Sequence, residues 1–271
     1  MLNLVFGILA RIFSNSFLNV FQKLLTNNDE KPSVINFYTY LGLTLLGVLI
    51  CKNPVFSPNI LPSILFMGML GALGNYFIIK ALSCGELSVL TPINSYKPVV
   101  ALIIGIFMLG EYPGIKELFA LLLIILGTYI LIGQKFIPNI AYLYRALALI
   151  FSGTEAIFIK KIIIMTDISS AFLYWAIAGA LFSFFFVFKH SFKFKKTNLK
   201  YLLSLIIMVG IMQYSTNYVF SRMNVSYALS IFQLSTIVSV CAGVNVFSEK
   251  GLIRKLIASA IMVIGAIIII L

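Results

Sequence analysis

The chain has 271 residues, of which 61% are hydrophobic and only 10% are charged. Soluble domains average about 45–50% apolar and about 25% charged residues, so this composition excludes a soluble fold and indicates an integral membrane protein. The net charge of +12 comes from basic residues that lie mostly between apolar runs, where they orient helices in a membrane. Without a zinc-finger spacing or an aromatic-basic motif, we expect no nucleic-acid binding.

Apolar runs of about 20 residues recur along the chain, which is the length that an α-helix needs to cross a bilayer. The first five predicted spans cover about residues 2–25, 32–50, 61–82, 87–109 and 114–133. The second five cover about residues 140–165, 168–188, 199–221, 225–247 and 251–271. Pro, Gly, Asn or a charged residue marks most of the joints between them. The sequence therefore predicts an all-α membrane protein with ten transmembrane helices.

The fourth predicted span contains two prolines, Pro92 and Pro98. Proline lacks a backbone N–H and clashes with the preceding turn, so each proline frees a carbonyl about four residues earlier, those of Ser88 and Asn94. In lipid these carbonyls need another partner, which a water-filled cavity supplies. The pattern predicts a kinked or partly unwound segment beside a site. The alternative is a kink whose free carbonyls are satisfied by a neighbouring helix.

Two ionisable residues, Lys97 and Glu155, lie well inside predicted spans. Such groups cost roughly 2.5–3.5 kcal/mol on insertion scales and are functional candidates. One interpretation places both on a central cavity, where Lys97 binds an anionic group of the substrate and Glu155 binds an amine or carries a proton. The other is a neutralising Lys–Glu pair that only fixes the packing.

Polar side chains within the spans are further candidates for substrate binding. They are Asn15, Asn19, Asn75, Tyr76, Asn94, Tyr96, Tyr214, Asn217 and Gln233. As a set that faces inward they would line a cavity suited to a polar solute. Individually, each could instead form an interhelical hydrogen bond, worth about 0.6 kcal/mol. For Trp175 and Tyr174 we expect an ordinary contact with lipid or with neighbouring side chains rather than stacking on a substrate.

The two halves of the chain align after a shift of 138 residues. The shift places Lys23 on Lys161, Ser88 on Ser226, Gly105 on Gly243, Glu111 on Glu249 and Gly127 on Gly265. Asn75 and Tyr76 match Asn217 and Tyr218 at a shift of 142, which predicts a small insertion. The common order of these matches predicts an internal duplication, with a first half of residues 1–135 and a second half of residues 139–271.

Each half holds five predicted spans, which is an odd number. The two copies must therefore enter the membrane from opposite sides, as two inverted five-helix repeats. Inverted repeats are common in secondary transporters, which bind their substrate near the membrane midplane between the repeats.

Residues matched by the shift also favour structural roles. Glu111 and Glu249 each lie in the turn before a predicted span, where a carboxylate complements the positive end of the following helix. Gly127 and Gly265 favour close approach between helices. Three cysteines without a CxxC motif and a single histidine predict no metal site and argue against the usual catalytic triads. We expect no cofactor.

Segments around the fourth and ninth spans resemble a known family. The first copy contains Ser95-Tyr96-Lys97-Pro98-Val99-Val100, then Gly105, Leu109-Gly110-Glu111 and Gly127. The second copy, which ends Phe247-Ser248-Glu249 and then Gly265, is more divergent and has Thr236 in place of Pro98. Across nearly the whole chain the pattern resembles EamA-like transporters of the drug/metabolite transporter superfamily. The resemblance implies two EamA-like repeats in the cell (inner) membrane, and export or exchange of small metabolites such as amino acids.

The orientation of the chain stays open because two arguments disagree. Of the 20 Lys and Arg residues, we assign about 13 to the side of the odd-numbered connections, about 6 to the other side, and Lys97 alone to the membrane interior. The positive-inside rule then places both termini outside. The resemblance implies that both are inside.

Together these features predict a secondary transporter, not an enzyme, that moves a small polar or zwitterionic metabolite by alternating access, with protons coupled through Glu155 as an option. One alternative is a membrane enzyme acting on a lipid-linked substrate, against which the dispersal of the eight acidic residues argues. Another is a non-transporting scaffold, against which the interior Lys97 and Glu155 argue. The expected partners are a small-molecule substrate and the lipid bilayer, and a homodimer stays open.

Overall fold

The computed structural model describes residues 2–97, 99–100, 114–132, 139–188, 192–223 and 225–268, and every regular element in these ranges is helical. In the first half the α-helices are α1 (Leu2–Asn27), α2 (Pro32–Ile50), α3 (Leu61–Cys84), α4 (Leu87–Leu90) and α5 (Ile115–Ile132). In the second half they are α6 (Ile140–Met165), α7 (Ile168–Val187), α8 (Leu199–Phe220), α9 (Val225–Phe232), α10 (Ser235–Phe247) and α11 (Leu252–Ile268). Short 3-10 helices cover Pro58–Ile60, Pro92–Tyr96 and Lys196–Asn198.

Six helical stretches in the described part of the chain are long and apolar enough to cross a membrane. They are Leu2–Asn27, Pro32–Ile50, Pro58–Cys84, Ile168–Val187, Lys196–Phe220 and Ala228–Phe247, and a shorter apolar stretch covers Leu118–Leu131. Large apolar side chains such as Leu45, Phe185 and Ile253 stay exposed on their outer faces, as a lipid environment requires. The chain is a multi-pass integral membrane protein. The predicted fourth span, 87–109, lies partly outside the described residues.

Polar groups satisfy the free amides at two helix starts in the second half. The side chain of Asn139 accepts a hydrogen bond from the amide of Ala141 at the start of α6. The Asp167 carboxylate accepts hydrogen bonds from the amides of Ser169 and Ser170, at 2.8 and 3.0 Å, at the start of α7. Partial burial acts to raise the pKa of Asp167, but these bonds and one from the Ser170 hydroxyl outweigh it and lower the pKa below its ordinary value.

Helices of the two halves pack against each other in a reciprocal pattern. Helix α1 packs on α8 while α3 packs on α6, and α2 packs on α7 while α5 packs on α11. If the spans of one half are matched in order to those of the other, the contact of α1 with α8 corresponds to that of α6 with α3. The other two contacts, α2 with α7 and α5 with α11, each join a pair of matched spans. The core of the bundle therefore lies between the halves rather than inside each of them.

Two glycines that match across the halves allow α5 and α11 to approach closely. A Cβ atom added to Gly127 would lie 2.4 Å from Cγ of Met262, and one added to Gly265 would lie 2.8 Å from the carbonyl oxygen of Ala120. Real Cβ contacts are not this short, so both positions need a residue without a side chain. The predicted close helix approach is confirmed for this pair.

The fourth span is broken where proline predicts it. Helix α4 ends at Leu90, and the chain continues as the 3-10 helix Pro92–Tyr96. The carbonyl of Asn94 accepts a hydrogen bond from the backbone amide of Lys97, so the tighter 3-10 bond satisfies it locally instead of a cavity water or a neighbouring helix. Pro98 lies outside the described residues.

The ninth span is also broken, although no proline marks the position. Helix α9 ends at Phe232 and α10 begins at Ser235. The side-chain amide of Gln233 donates a hydrogen bond to the carbonyl oxygen of Leu229 at 2.8 Å, which supplies the partner that a continuous helix would have given. After the 138-residue shift, Gln233 falls on Ser95, inside the 3-10 segment of the first half. The two breaks therefore occur at matched positions.

Candidate functional site

A cavity of about 100 Å³ lies in the middle of the bundle, between helices of both halves. Six of the residues singled out from the sequence line it: Asn15, Asn19, Asn75, Asn94, Lys97 and Glu155. They come from four different spans, so the structure brings together residues that are distant in sequence. Asn94 reaches the cavity from the 3-10 helix of the fourth span and Lys97 from the residue after that helix. Glu155 reaches it from the middle of α6.

Glu155 and Lys97 face the same cavity, but the salt bridges among the described residues join other pairs. Glu155 instead accepts a hydrogen bond from the indole nitrogen of Trp175, with 2.6 Å between Nε1 and Oε1. Trp175 is only 5% exposed, and its ring lies 5.0 Å from that of Tyr40. Trp175 therefore makes an interior packing contact that also positions the carboxylate.

Helix α3 leaves room for this contact through a glycine. A Cβ atom at Gly71 would lie 2.2 Å from Oε1 of Glu155 and 3.1 Å from Nε1 of Trp175. Only a residue without a side chain lets α3 pass this close to the hydrogen-bonded pair. Gly71 is thus part of the wall that shapes the cavity.

Arg11 and Arg145, which were predicted to lie at the membrane faces, also line the cavity. Arg11 donates from Nε to the hydroxyl oxygen of Thr216 at 2.7 Å, and its guanidinium lies 4.8 Å from the centre of the Phe232 ring. Arg145, near the start of α6, is only 2% exposed. Their assignment to the membrane faces was wrong, since both lie inside the bundle. A long side chain near a span end, such as that of Arg145, usually extends to the interface, whereas Arg11 is nine residues into the first predicted span.

One sequence signal could have identified Arg11. It precedes Asn15 by four residues and Asn19 by eight, so the three side chains share one face of α1. That face is the one that lines the cavity. For Arg145 the comparable signal is weaker: Ser152, seven residues or about two turns later, shares its face of α6 and also lines the cavity.

Amide side chains connect the cavity wall to the surrounding helices. The oxygen of Asn75 accepts a hydrogen bond from Gln22 at 2.9 Å, and its nitrogen donates to Asn36 at 2.7 Å. The Asn15 amide donates to the hydroxyl of Ser235 at 3.0 Å, beside the break in the ninth span. Asn15 and Asn75 both line the cavity and join helices, so the interhelical contact is confirmed and binding of a substrate stays a prediction.

Five predicted binding residues lie in other contacts of the bundle. Tyr76 stacks on Phe186. The hydroxyl of Tyr96 forms a hydrogen bond with that of Thr128, and the hydroxyl of Tyr214 forms one with that of Ser169. Asn217 donates a hydrogen bond to the carbonyl of Ile168, and Gln233 donates one to the carbonyl of Leu229. In the last four cases the polar group has a protein partner. These contacts hold the helices around the cavity.

Glu249 complements a helix start, but not that of the helix that follows it. Its two carboxylate oxygens accept hydrogen bonds from the backbone amides of Leu87 and Ser88, each at 2.8 Å, and from the Ser88 hydroxyl. These amides begin α4 in the other half of the chain. The prediction that Glu249 acts on its own following helix was therefore wrong in its partner. Glu111 lies outside the described residues.

Two lysines complete this cluster at one end of the bundle. Lys23 lies 3.4 Å from Glu249 and donates to the carbonyl of Gly85. Lys255 lies 3.9 Å from Glu249 and bonds with Glu86 and Ser88. We call Glu249, Ser88, Lys23 and Lys255 the end cluster. It connects the start of the fourth span with the turn between α10 and α11, beside an open cleft of about 580 Å³.

The described residues include no group of three or more His, Cys, Asp or Glu side chains placed to hold a metal ion. The polar side chains that line the central cavity carry charged, amide and hydroxyl groups. The cavity offers positive charge, one carboxylate and several amides, which suit reversible binding of a polar solute.

Comparisons with known proteins agree with this architecture. The model of the EamA-like transporter family matches residues 2–133 and again residues 139–271. A search of curated proteins finds no match. Among solved structures 28 chains match, and one, titled only "Crystal structure of protein", has a TM-score of 0.68 at 15% identity, covering 98% of this chain and 96% of that chain. This likeness shows a shared fold. Because the family model matches both halves almost completely, the chain belongs to the EamA-like transporter family.

Proposed function

We propose that the protein is a secondary active transporter that exports or exchanges a small polar metabolite, such as an amino acid, across the cell membrane. The observation that carries this proposal is the cavity between the halves, which collects Lys97, Glu155 and several amides from different helices. Charged side chains inside a membrane protein are costly and mark pathways for polar solutes. A packing role alone does not require them to surround an open space.

We propose ten membrane helices in two inverted repeats as the architecture that moves the solute. The reciprocal packing of α1 with α8 and of α3 with α6 supports this arrangement. The matched breaks at the 3-10 segment Pro92–Tyr96 and at Gln233 support it as well. Broken helices at a binding site are typical of transporters with inverted repeats, where the unwound backbone borders the site.

Alternating access requires the two halves to separate at each membrane face in turn. The end cluster joins the halves at one face through Glu249 and Ser88. In our proposal these bonds break when the cavity opens to that face and form again when it closes. The bonds are short and run between the halves, so they would favour the closed state at that face.

Proton coupling through Glu155 is the finer part of the proposal. Among the described residues that line the cavity, Glu155 is the carboxylate, and it bonds to one partner, Trp175. Burial disfavours the charged form of a carboxylate, while nearby positive charge favours it. A carboxylate in this balance can gain or lose a proton when water reaches the cavity from one face or the other.

The test is uptake into proteoliposomes that contain the purified protein. A panel of labelled small metabolites is offered outside, with and without the same solute inside, and accumulation is compared with that in protein-free vesicles. The proposal expects saturable uptake of at least one polar solute and faster uptake when the solute is preloaded. Uptake equal to that of protein-free vesicles for every polar solute, by a protein that stays monodisperse, would contradict it.

A further inference from the structure

The charges that line the central cavity do not balance. When all are ionised, the described lining residues include three positive charges, those of Arg11, Lys97 and Arg145, and one negative charge, that of Glu155. When Glu155 is ionised the cavity has a net charge of +2. When Glu155 is protonated the excess is larger. The three basic side chains line one cavity, so their positive charges repel each other across it.

Protein groups leave these cations largely without partners. Arg145 is 2% exposed, and neither a hydrogen bond nor an ion pair joins it to the described part of the chain. Its Nε atom, Nη1 of Arg11 and the hydroxyl of Ser152 are all buried without a hydrogen-bond partner, and all three residues line the cavity. Buried donors without acceptors are costly, and native proteins nearly always pair them.

The protein offers little to neutralise this excess. The oxygen Oε1 of Glu155 already accepts a hydrogen bond from Trp175, and one carboxylate cannot neutralise three cations. The amides of Asn15, Asn19 and Asn75 are neutral, and each makes a hydrogen bond within the protein. Among the described residues, the basic side chains of the cavity are therefore left open to an acceptor with negative charge.

We infer that the transported solute is a small organic anion with two acidic groups, whose carboxylate or phosphate oxygens bind Arg11, Lys97 and Arg145. The inference rests on the proposed function and names the substrate class of the same cavity. Arginine suits this role because its planar guanidinium donates two parallel hydrogen bonds to a carboxylate or phosphate. The volume of about 100 Å³ limits the solute to a few heavy atoms beyond its acidic groups. An ammonium group on such a solute would lie beside Glu155.

Binding to the detergent-purified protein tests the charge of the solute directly. The probes are succinate, inorganic phosphate, aspartate, alanine and lysine at equal concentration, and the measurements are the melting temperature and the heat of binding. Ligands that bind the folded state raise its melting temperature. We expect a rise with aspartate and with succinate or phosphate, and none with alanine or lysine. Succinate without phosphate would identify a dicarboxylate, and phosphate without succinate a phosphorylated solute. A larger rise with alanine or lysine would overturn the inference.

Arg145→Gln is the decisive variant. Loss of hydrogen bonds to a charged group should weaken binding of the best anionic probe roughly tenfold or more. The control is Arg222→Gln, which removes the same charge from an exposed arginine that stacks on Tyr218. Equal weakening in both variants would assign the effect to the overall charge and overturn the inference.

The stability of the empty protein separates ligand binding from a structural role. Because Arg145 is buried without a partner, Arg145→Gln should melt at the same temperature as the unchanged protein or higher when no probe is present. Failure of Arg145→Gln to fold, while Arg222→Gln folds, would mean that Arg145 stabilises the empty bundle and would overturn the inference. Arg145→Lys keeps the charge but loses the planar donor pair, so it should bind with intermediate affinity.

Uptake into vesicles separates this inference from the proposed function. If alanine accumulates and none of the anionic probes does, transport is supported and the anionic class is overturned. If succinate binds in an Arg145-dependent way but no probe accumulates, the anionic site is supported and the proposed transport fails.

Discussion

Glu249 caps the start of a helix in the opposite half of the chain, where both the amide and the hydroxyl of Ser88, 161 residues earlier, donate to its carboxylate. Both side chains are buried, although the turn that carries Glu249 has exposed residues on either side of it, Ser248 and Lys250. The contact therefore joins the two halves at a fixed point, and its charge state determines how strongly they are held together at this end of the bundle.

Glu249→Gln should destabilise the protein. The change removes the charge that the Leu87 and Ser88 amides and Lys23 face, and hydrogen bonds to charged groups contribute about 1.5–3 kcal/mol. Thermal unfolding in detergent measures the loss. Asp29→Asn is the matched control, because the Asp29 side chain is 86% exposed and its ion pair with Lys195 is at the surface, where such pairs contribute little. An equal loss of stability in both variants would contradict the assigned role.

The contribution of Glu249 should also depend on pH. Burial acts to raise its pKa, but hydrogen bonds from the Ser88 side chain and the Ser88 and Leu87 amides, together with the charge of Lys23, lower it below the ordinary value of 4.5. A lowered pKa in the folded state contributes stability that is present above the unfolded pKa and is lost as the pH falls through the folded one. The difference in melting temperature between the unchanged protein and Glu249→Gln should be constant near neutral pH and shrink below about pH 4.5. A difference in melting temperature that grows on acidification would contradict a lowered pKa of Glu249 in the folded protein.

Gly71→Ala should disrupt the contact between Glu155 and Trp175. The added methyl would lie 2.2 Å from Oε1 of Glu155, and overpacking of this kind costs about 1–3 kcal/mol. Trp175 is the only tryptophan in the chain, so its fluorescence spectrum reports the disruption directly. Gly210→Ala is the control, since a Cβ there would meet Leu46 at an ordinary 3.5 Å. An unchanged emission spectrum in Gly71→Ala would show that the contact is absent or that α3 yields.

Glu155→Gln should abolish proton movement driven by the substrate and leave substrate-for-substrate exchange intact. The amide keeps the size of the side chain but cannot exchange a proton. A pH-sensitive dye inside vesicles measures the proton flux, and labelled substrate measures the exchange. Asp29→Asn again serves as the control for loss of a carboxylate. If the Gln variant still moves protons with substrate, Glu155 is not the carrier.

Lys97→Met should abolish transport while the protein still inserts and stays monodisperse, because Lys97 lines the cavity without a salt-bridge partner in the described part of the chain. The double variant Lys97→Met with Glu155→Gln tests the alternative of a neutralising pair. Under that alternative the double variant regains stability and transport. Substrate uptake into vesicles measures transport, and gel filtration measures whether the variant stays monodisperse. Uptake by vesicles that contain the double variant would contradict a binding role for Lys97.

Local patterns in the sequence were enough to predict the bounds of several helices. Turn and capping residues such as Pro32, Asn139 and Asp167 mark where helices begin, so α2, α6 and α7 begin and end within a residue of their predicted spans. Pro92 predicted the break in the fourth span because proline cannot donate the helical hydrogen bond. Lys97 and Glu155 were identifiable because a charge in the middle of an apolar run is costly wherever the run packs.

Only the tertiary structure decided which residues meet. The side chain of Gln233 donates to the Leu229 carbonyl at the break in the ninth span. No proline or other local pattern in the sequence predicts a break at this position. Arg11 and Arg145 turn into the cavity, and Glu249 binds the first half rather than its own helix. The length and polarity of a helix follow from its own residues. Its neighbours follow from how side-chain surfaces and buried charges fit across the whole bundle, and that fit depends on residues far apart in the chain.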